Sequence, residues 1–367
     1  MRVDRRGFLQ QTTAIALASR LNSLGSKVEA AESASLLSET PRFPIVDAHQ
    51  HLWDCEVLDL AWIKSSETLN RSFTSRDYLL ATEGLPIAKA VYMEVAASDD
   101  ELAKEAEYAI SVAKLDDNPT VAAVIGGRPG TEPFRAYIDR FGKSPYVKGV
   151  RRILHKADLT KGFHLGEPFL RDIRLLGEMG LRFDLNVPND ALEEGAKLVD
   201  RCPDTPFILN HCGNADLNWY QKPRQDESIE RWRRGIAELA QRKHVTCKIS
   251  GIIARAPSDW TPADLAPVVN HCLDTFGPDR VAFASDWPVC LRGATLRQWV
   301  FALQAIVKDR PEPQQRKLWH DNAVRICNQD VKARRMRDGG EGHAKVRTGH
   351  IVAHAGVFDE GNDILSR

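Results

Sequence analysis

Two histidines separated by one residue, His49 and His51 in FPIVDAHQHLWD, are the first residues of this chain whose types and spacing could do chemistry. Neutral imidazoles two apart on an extended segment emerge from one face, which suits them to holding a metal ion or moving a proton. With 11 histidines among 367 residues, about 0.3 such pairs arise by chance, so the pattern gains weight from its setting at the end of a short apolar run. Strand alternation predicts Asp47 on the same face behind the pair, with Val46, Ala48 and Gln50 turned the other way. The bland reading of the pair is two surface histidines near a loop.

Those side chains need elements to position them. From Phe43 onward, short β-rich runs alternate with longer amphipathic stretches. The predicted strands are FPIVDAH (43–49), IAKAVYMEV (87–95), TVAAVIGGR (120–128), YVKGVRRIL (146–154), LRFDLNV (181–187), TPFILNH (205–211), HVTCKIS (244–250) and RVAFASD (280–286). Predicted helices between them include 99–115, 189–202, 226–242 and 261–276, with Asp99, Asn189, Asp226 and Thr261 as capping residues. Pro262 then takes the first helical position of the last of these. Eight strands alternating with helices imply an α/β protein with a parallel sheet, and a closed (β/α)8 barrel leaves no edge exposed. An open doubly wound sheet is the alternative, but no Gly-rich fingerprint follows the first strand. TLRQWVFALQAIVKD and EPQQRKLWHDNAVRICN read as closing helices.

The expected organisation is one barrel domain over residues 41–328, with tails on either side. In the first 40 residues, Arg5 and Arg6 precede a mildly apolar stretch, which resembles a twin-arginine export signal and implies a periplasmic address; a disordered start with two adjacent arginines on a cytoplasmic protein is the other reading. Residues 329–367 mix charge and glycine without periodicity and are expected to be disordered; His343, His350 and His354 lie there. Acidic and basic residues number 50 each, a balance that gives no field for gathering nucleic acid or anionic lipid, so neither is expected as a partner. No apolar run reaches the roughly 18 residues of a membrane span. The seven cysteines include no C-x-x-C pair, which argues against a disulfide framework or zinc knuckle and for small buried hydrophobes.

Barrel chemistry sits where strands end, so the residues ending each predicted strand are the candidates. The first contributes His49 and His51, the sixth His211 and the eighth Asp286. The fourth contributes Arg151 and Arg152, whose opposite faces send one inward, and the seventh contributes Lys248 and Ser250. Singly, Asp286 could cap a turn and His211 could be a core histidine. In a barrel they converge.

Taken in order, VDAHQHLWD, VKGVRRILH, FDLNV, ILNHCG, KISG and ASDWPV resemble the amidohydrolase superfamily, in its branch of sugar-lactone and dicarboxylate-lactone hydrolases, over about residues 43–327. The resemblance implies a distorted (β/α)8 barrel and a hydrolase acting on carboxylic ester bonds, with a small sugar-acid or dicarboxylate lactone as its substrate and carbohydrate catabolism as its setting. Two-metal members carry a bridging lysine or glutamate after the fourth strand and a histidine after the fifth, whereas this chain has arginines and DLNVPND. A two-metal centre is therefore not expected. Where the branch usually shows Asp-His on the sixth strand, this chain has Asn210 before His211, a swap expected to loosen the imidazole.

On that resemblance, Asp286 deprotonates the attacking water and passes the proton to the leaving alkoxide, with His211 as the second catalytic group. His49, His51, His211 and Asp286 either hold one divalent ion, zinc being the best match to three His and a carboxylate, or act without metal. Arg151 or Arg152 offers a fork for a substrate carboxylate or the developing oxyanion; Lys248, Trp53 and Trp287 are further substrate-contact candidates. Two other functions fit the same residues. One is a metal-dependent non-oxidative decarboxylase of the same superfamily, and the other is a barrel that binds a sugar acid without turning it over. Oligomeric state has no signature in the sequence.

Overall fold

The computed structural model describes residues 40–154, 162–220 and 226–328. The export-like segment and the C-terminal tail with its three histidines fall outside them.

All eight expected strands form, as β1 (Ile45–Gln50), β2 (Ile87–Met93), β3 (Thr120–Gly126), β4 (Val147–Ile153), β5 (Arg182–Asn186), β6 (Phe207–Leu209), β7 (Val245–Ile249) and β8 (Val281–Phe283). They pair in parallel in chain order. This is the (β/α)8 arrangement: each crossover carries helices, and the apolar residues of strands and helices together make one large core.

The ring closes between β8 and β1 by a few bonds in place of a long ladder. The Asp286 N–H donates to the His49 carbonyl at 2.9 Å, and the His51 N–H to the Trp287 carbonyl at 2.7 Å. Below them a side chain takes over: the Asp47 carboxylate accepts from the Ser285 N–H at 2.8 Å, the Ser285 hydroxyl at 2.5 Å and the Tyr78 hydroxyl at 2.8 Å. Asp47 therefore does not share a face with the imidazoles. The β1–β2 register shifts between Asp47 and Gln50, and that irregularity breaks the strict alternation expected of this strand.

At the opposite end, Val46, Ala48, Ala282 and Ala284 pack on Ala323, and Val91, Met93, Ala122 and Val124 on Cys327. The final helix, Asn322–Asn328, thus covers residues of β1, β2, β3 and β8. Asn322 pins it there by donating to the carbonyls of Pro278 and Val281 at the start of β8.

Two expected caps are placed differently. The helix expected at 99 spans Leu102–Ala113, and Asp99 instead accepts from Arg128 Nε at 2.6 Å. The helix expected at 189 spans Leu192–Arg201, and Asn189 donates to the Asn214 carbonyl. The helix Pro262–Phe276 starts as expected, with the Thr261 N–H bonded to Asp264. Five of the seven cysteines are buried and all seven are free. Among the described residues, no helix is long and apolar enough to cross a membrane.

Candidate active site

His49, His51 and Asp286 meet at the carboxyl end of the barrel. His49 Nε2 lies 3.1 Å from His51 Nε2 and 3.5 Å from Asp286 Oδ1, and His51 Nε2 lies 3.2 Å from that same oxygen. Three donors held about 2.0–2.2 Å from one tetrahedral ion would be separated by about 3.3 Å, so this triangle fits a single divalent cation. The chemistry of the donors agrees. His51 Nδ1 sits 3.1 Å from the Met93 carbonyl, which can only accept, so Nδ1 carries a proton and Nε2 is the ring nitrogen turned to the triangle. Among the described residues, this is the group of His, Cys, Asp or Glu side chains that could hold a metal ion.

His211 stands beside the triangle and not within it. Its Nε2 lies 4.0 Å from Asp286 Oδ1, and its ring centroid 4.7 Å from that of His49. Asn210, the expected weak point in its orientation, does not touch the imidazole; its amide donates to Asp184 Oδ1 at 2.7 Å. Ser250 does the orienting, with Oγ 3.0 Å from His211 Nδ1. The next residue, Gly251, has φ +71°, and a Cβ there would stand 2.3 Å from His211 Nδ1. Only glycine can carry the chain past that ring.

Burial sets the charge states. It pushes His49 well below its ordinary value, helped by the nearby Lys248, and lowers His211 to about 3 against the pull of Asp286. Both rings are neutral at physiological pH. For Asp286, burial acts upward but is outweighed by His211, His51 and Arg151, and the carboxyl ends below its ordinary value. All three imidazoles approach Oδ1, which leaves Oδ2 for other chemistry.

The backbone is strained around this cluster. His211, Cys212, Asn214, Asp286 and Ala96 all adopt positive φ between 51° and 57°. Non-glycine residues pay for that conformation, and they do so where surrounding bonds hold them. Asn189 and Asn186 brace the His211–Asn214 turn, the latter accepting from Asn214 Nδ2 at 2.7 Å.

The paired arginines part as alternation requires. Arg151 is buried and faces the cluster, with Nη1 3.3 Å from His49 Nε2. Arg152 turns outward, stacking on Phe163 and donating to the Pro129 carbonyl. Lys248, expected to meet substrate, lies beneath His49 in the barrel, 2.5 Å from Asp184 and 3.5 Å from His49 Nδ1. Burial lowers its pKa against the pull of Asp184.

A cavity of about 350 Å³ opens above these groups, reaching His51, Arg151, His211 and Asp286. Trp62, Val95, Ile153 and Val289 give it apolar walls, and Asn186, Asn214, Arg255 and Arg292 give it polar ones. Trp53 and Trp287, expected as substrate contacts, are core residues packed on Phe73. Trp62 takes the place expected of Trp53, its indole tied to the Val95 carbonyl at 2.7 Å. Sequence reasoning missed Glu94, Asp184, Ser250 as orienter, Arg255 and Arg292. Ser250 and Gly251 were within reach through KISG; the others carry no local signal.

An eight-stranded barrel with two imidazoles at the end of its first strand, one after its sixth and an aspartate after its eighth defines a class of barrel enzyme whose site has a donor group that could hold a metal ion. The chain belongs to the amidohydrolase family, whose model matches residues 46–327. It is 28% identical over 289 residues to the L-fucono-1,5-lactonase of Burkholderia multivorans, covering 76% of this chain and 94% of that protein. It is 24% identical over 229 residues to the L-rhamnono-gamma-lactonase of Scheffersomyces stipitis, covering 55% and 66%. Among solved structures, an amidohydrolase from Burkholderia multivorans with bound zinc superimposes with a TM-score of 0.68 at 23% identity, over 77% of this chain and 98% of that one.

Proposed function

We propose that this protein hydrolyses a lactone, with the Asp286 carboxylate as general base and one divalent ion held by His49, His51 and Asp286. The observation that carries the reading is the meeting of two imidazoles, an ionised carboxylate and a buried guanidinium at the floor of a cavity sized for a small ring. Kinship with named lactonases supports the choice of a cyclic ester over other acyl compounds.

A lactone is an activated ester, so the site needs to deprotonate water and stabilise the carbonyl oxygen as it becomes negative. Asp286 Oδ2 takes the water proton, because Oδ1 is the oxygen the imidazoles face. The same oxygen then returns the proton to the leaving alkoxide, producing the hydroxy acid. His211, neutral and held through Nδ1 by Ser250, presents Nε2 beside this carboxylate. Arg151 Nη1 supplies positive charge at the floor of the cavity. A bound divalent ion would add Lewis acidity and make water easier to deprotonate; zinc is the ion its His-rich donors suit best.

The substrate class follows from the mouth of the cavity. Arg255 and Arg292 line it and are exposed, and among the described residues neither forms an ion pair with a carboxylate. Those cations suit a lactone bearing an acid group, and the amide nitrogen of Asn186 on the cavity wall suits a hydroxyl of a sugar-derived ring. A pH-indicator screen of aldono- and dicarboxylate lactones tests the reading. Acid release supports it, carbon dioxide release from an unsaturated or aromatic acid would replace it with decarboxylation, and tight binding without turnover would replace it with a binding protein.

A further inference from the structure

Arg151 is held by a residue that never meets the cavity. Glu94, the residue after β2 and 2% exposed, accepts from Arg151 Nε at 2.6 Å through Oε1, and its backbone carbonyl accepts from Arg151 Nη2 at 2.9 Å. Its other oxygen, Oε2, accepts from the N–H of Ala96 at 2.6 Å, a cavity-lining residue at φ +54°. One buried carboxylate thus fastens both the guanidinium and the strained wall next to it.

The consequence lies in which guanidinium atoms remain. An arginine grips a carboxylate through two parallel N–H bonds. Here the side-on Nε–Nη2 edge is already filled by Glu94, which leaves the far end of the guanidinium, with Nη1 turned to the floor, 3.3 Å from His49 Nε2. We infer that Glu94 is a positioning residue that holds the Arg151 guanidinium with Nη1 aimed at the floor, where it donates to the reacting carbonyl oxygen. This rests on the lactone reading for its chemistry, though the clamp itself stands on geometry. An acid group on the substrate is met at the mouth by Arg255 and Arg292.

A charge-assisted bond formed to an oxyanion strengthens as the transition state is reached, so its loss appears in kcat more than in KM. Glu94→Gln should lower kcat by ~10-fold or more with KM within about twofold, because the amide cannot accept from both Arg151 and Ala96. In an Arg151→Ala background the same change should cost little further, the two residues acting as one unit. Equal losses in both backgrounds would make Glu94 merely structural and overturn the inference. So would an Arg151→Ala enzyme that raises KM for acid-bearing lactones while leaving kcat untouched.

Glu94→Asp with a melting curve guards against variants that fail to fold. A substrate-independent arm uses ¹⁵N spectra, with the Arg151 Nε–H signal assigned by its loss in Arg151→Lys. That proton should be slow to exchange in the native protein and fast in Glu94→Gln; an unchanged signal overturns the clamp. If the native enzyme turns over no lactone, the lactone reading falls and with it the carbonyl-donor role, while the spectra still decide the clamp.

Discussion

The backbone N–H of Asp286 donates to the carbonyl of His49 at 2.9 Å, while the carboxylate of the first lies 3.5 Å from the imidazole of the second. The seam that closes the barrel and the centre of the candidate site are therefore one structure. Residues far apart in the chain are locked in register by main-chain bonds at the point where their side chains must cooperate. A loosened seam should cost activity before it costs the fold.

Asp47 is the place to loosen it. Its carboxylate takes bonds from the Ser285 N–H, the Ser285 hydroxyl and the Tyr78 hydroxyl, all buried. Asp47→Ala leaves those donors unsatisfied, so we expect about 2–4 kcal/mol of lost stability together with a fall in kcat. Urea titration and steady-state kinetics check both. A variant as stable and active as the native protein would show that the seam does not depend on this residue.

Gly251 makes a sharper case. Alanine there would place Cβ 2.3 Å from His211 Nδ1 at φ +71°. Either the ring or the loop must move, and displacement of about 1 Å at a catalytic group costs on the order of 100-fold. Gly251→Ala should fold yet lose roughly that factor in kcat, whereas Gly277→Ala, at φ +72° with nothing within 4 Å, should leave kcat intact.

Stability should fall as pH rises through the neutral range because of Glu105. This buried carboxyl, whose Oε2 has no hydrogen-bond partner among the described residues, is pushed up to about 8 by burial and by the charge of Glu94. The folded state keeps the proton where the unfolded chain has lost it. The penalty is absent below the ordinary value of 4.5, grows as pH rises toward about 8, and then levels off. Glu105→Gln, which cannot ionise, should flatten that slope and gain on the order of a few kcal/mol at pH 8. Chemical denaturation at several pH values reads it directly, and an unchanged slope in the variant would assign the effect elsewhere.

Much of this was legible in the sequence because period-2 runs and their bounding turns report strands well, and strand ends report a barrel mouth. Position along a strand was harder. The register shift after Asp47 reverses the face that alternation assigns to it, and nothing local announces such a shift. Trp53 and Trp62 look alike as letters; which one reaches the cavity depends on how a long loop folds back on Phe73. Glu94 and Asp184 stayed hidden because each is defined by a partner on another strand, Arg151 and Lys248. The Arg151–Arg152 split was foreseeable from alternation alone.

The donor triangle of His49, His51 and Asp286 makes metal dependence a direct prediction. Purified protein should hold close to one equivalent of a divalent ion, lose activity on chelation and recover it when zinc is returned. His51→Ala should abolish the ion content without unfolding the chain. Full turnover with no metal detectable by elemental analysis would remove the ion from the mechanism and leave Asp286 to activate water unaided.

The most direct measurement is the turnover of Asp286→Asn on whichever lactone the native protein opens, with substrate binding and metal content followed alongside. The amide keeps the shape of the side chain and the main-chain bond to His49, but cannot accept the water proton. We predict kcat lower by about 10²–10⁴-fold with the lactone still bound. A variant that turns over at the native rate would contradict the account at its centre.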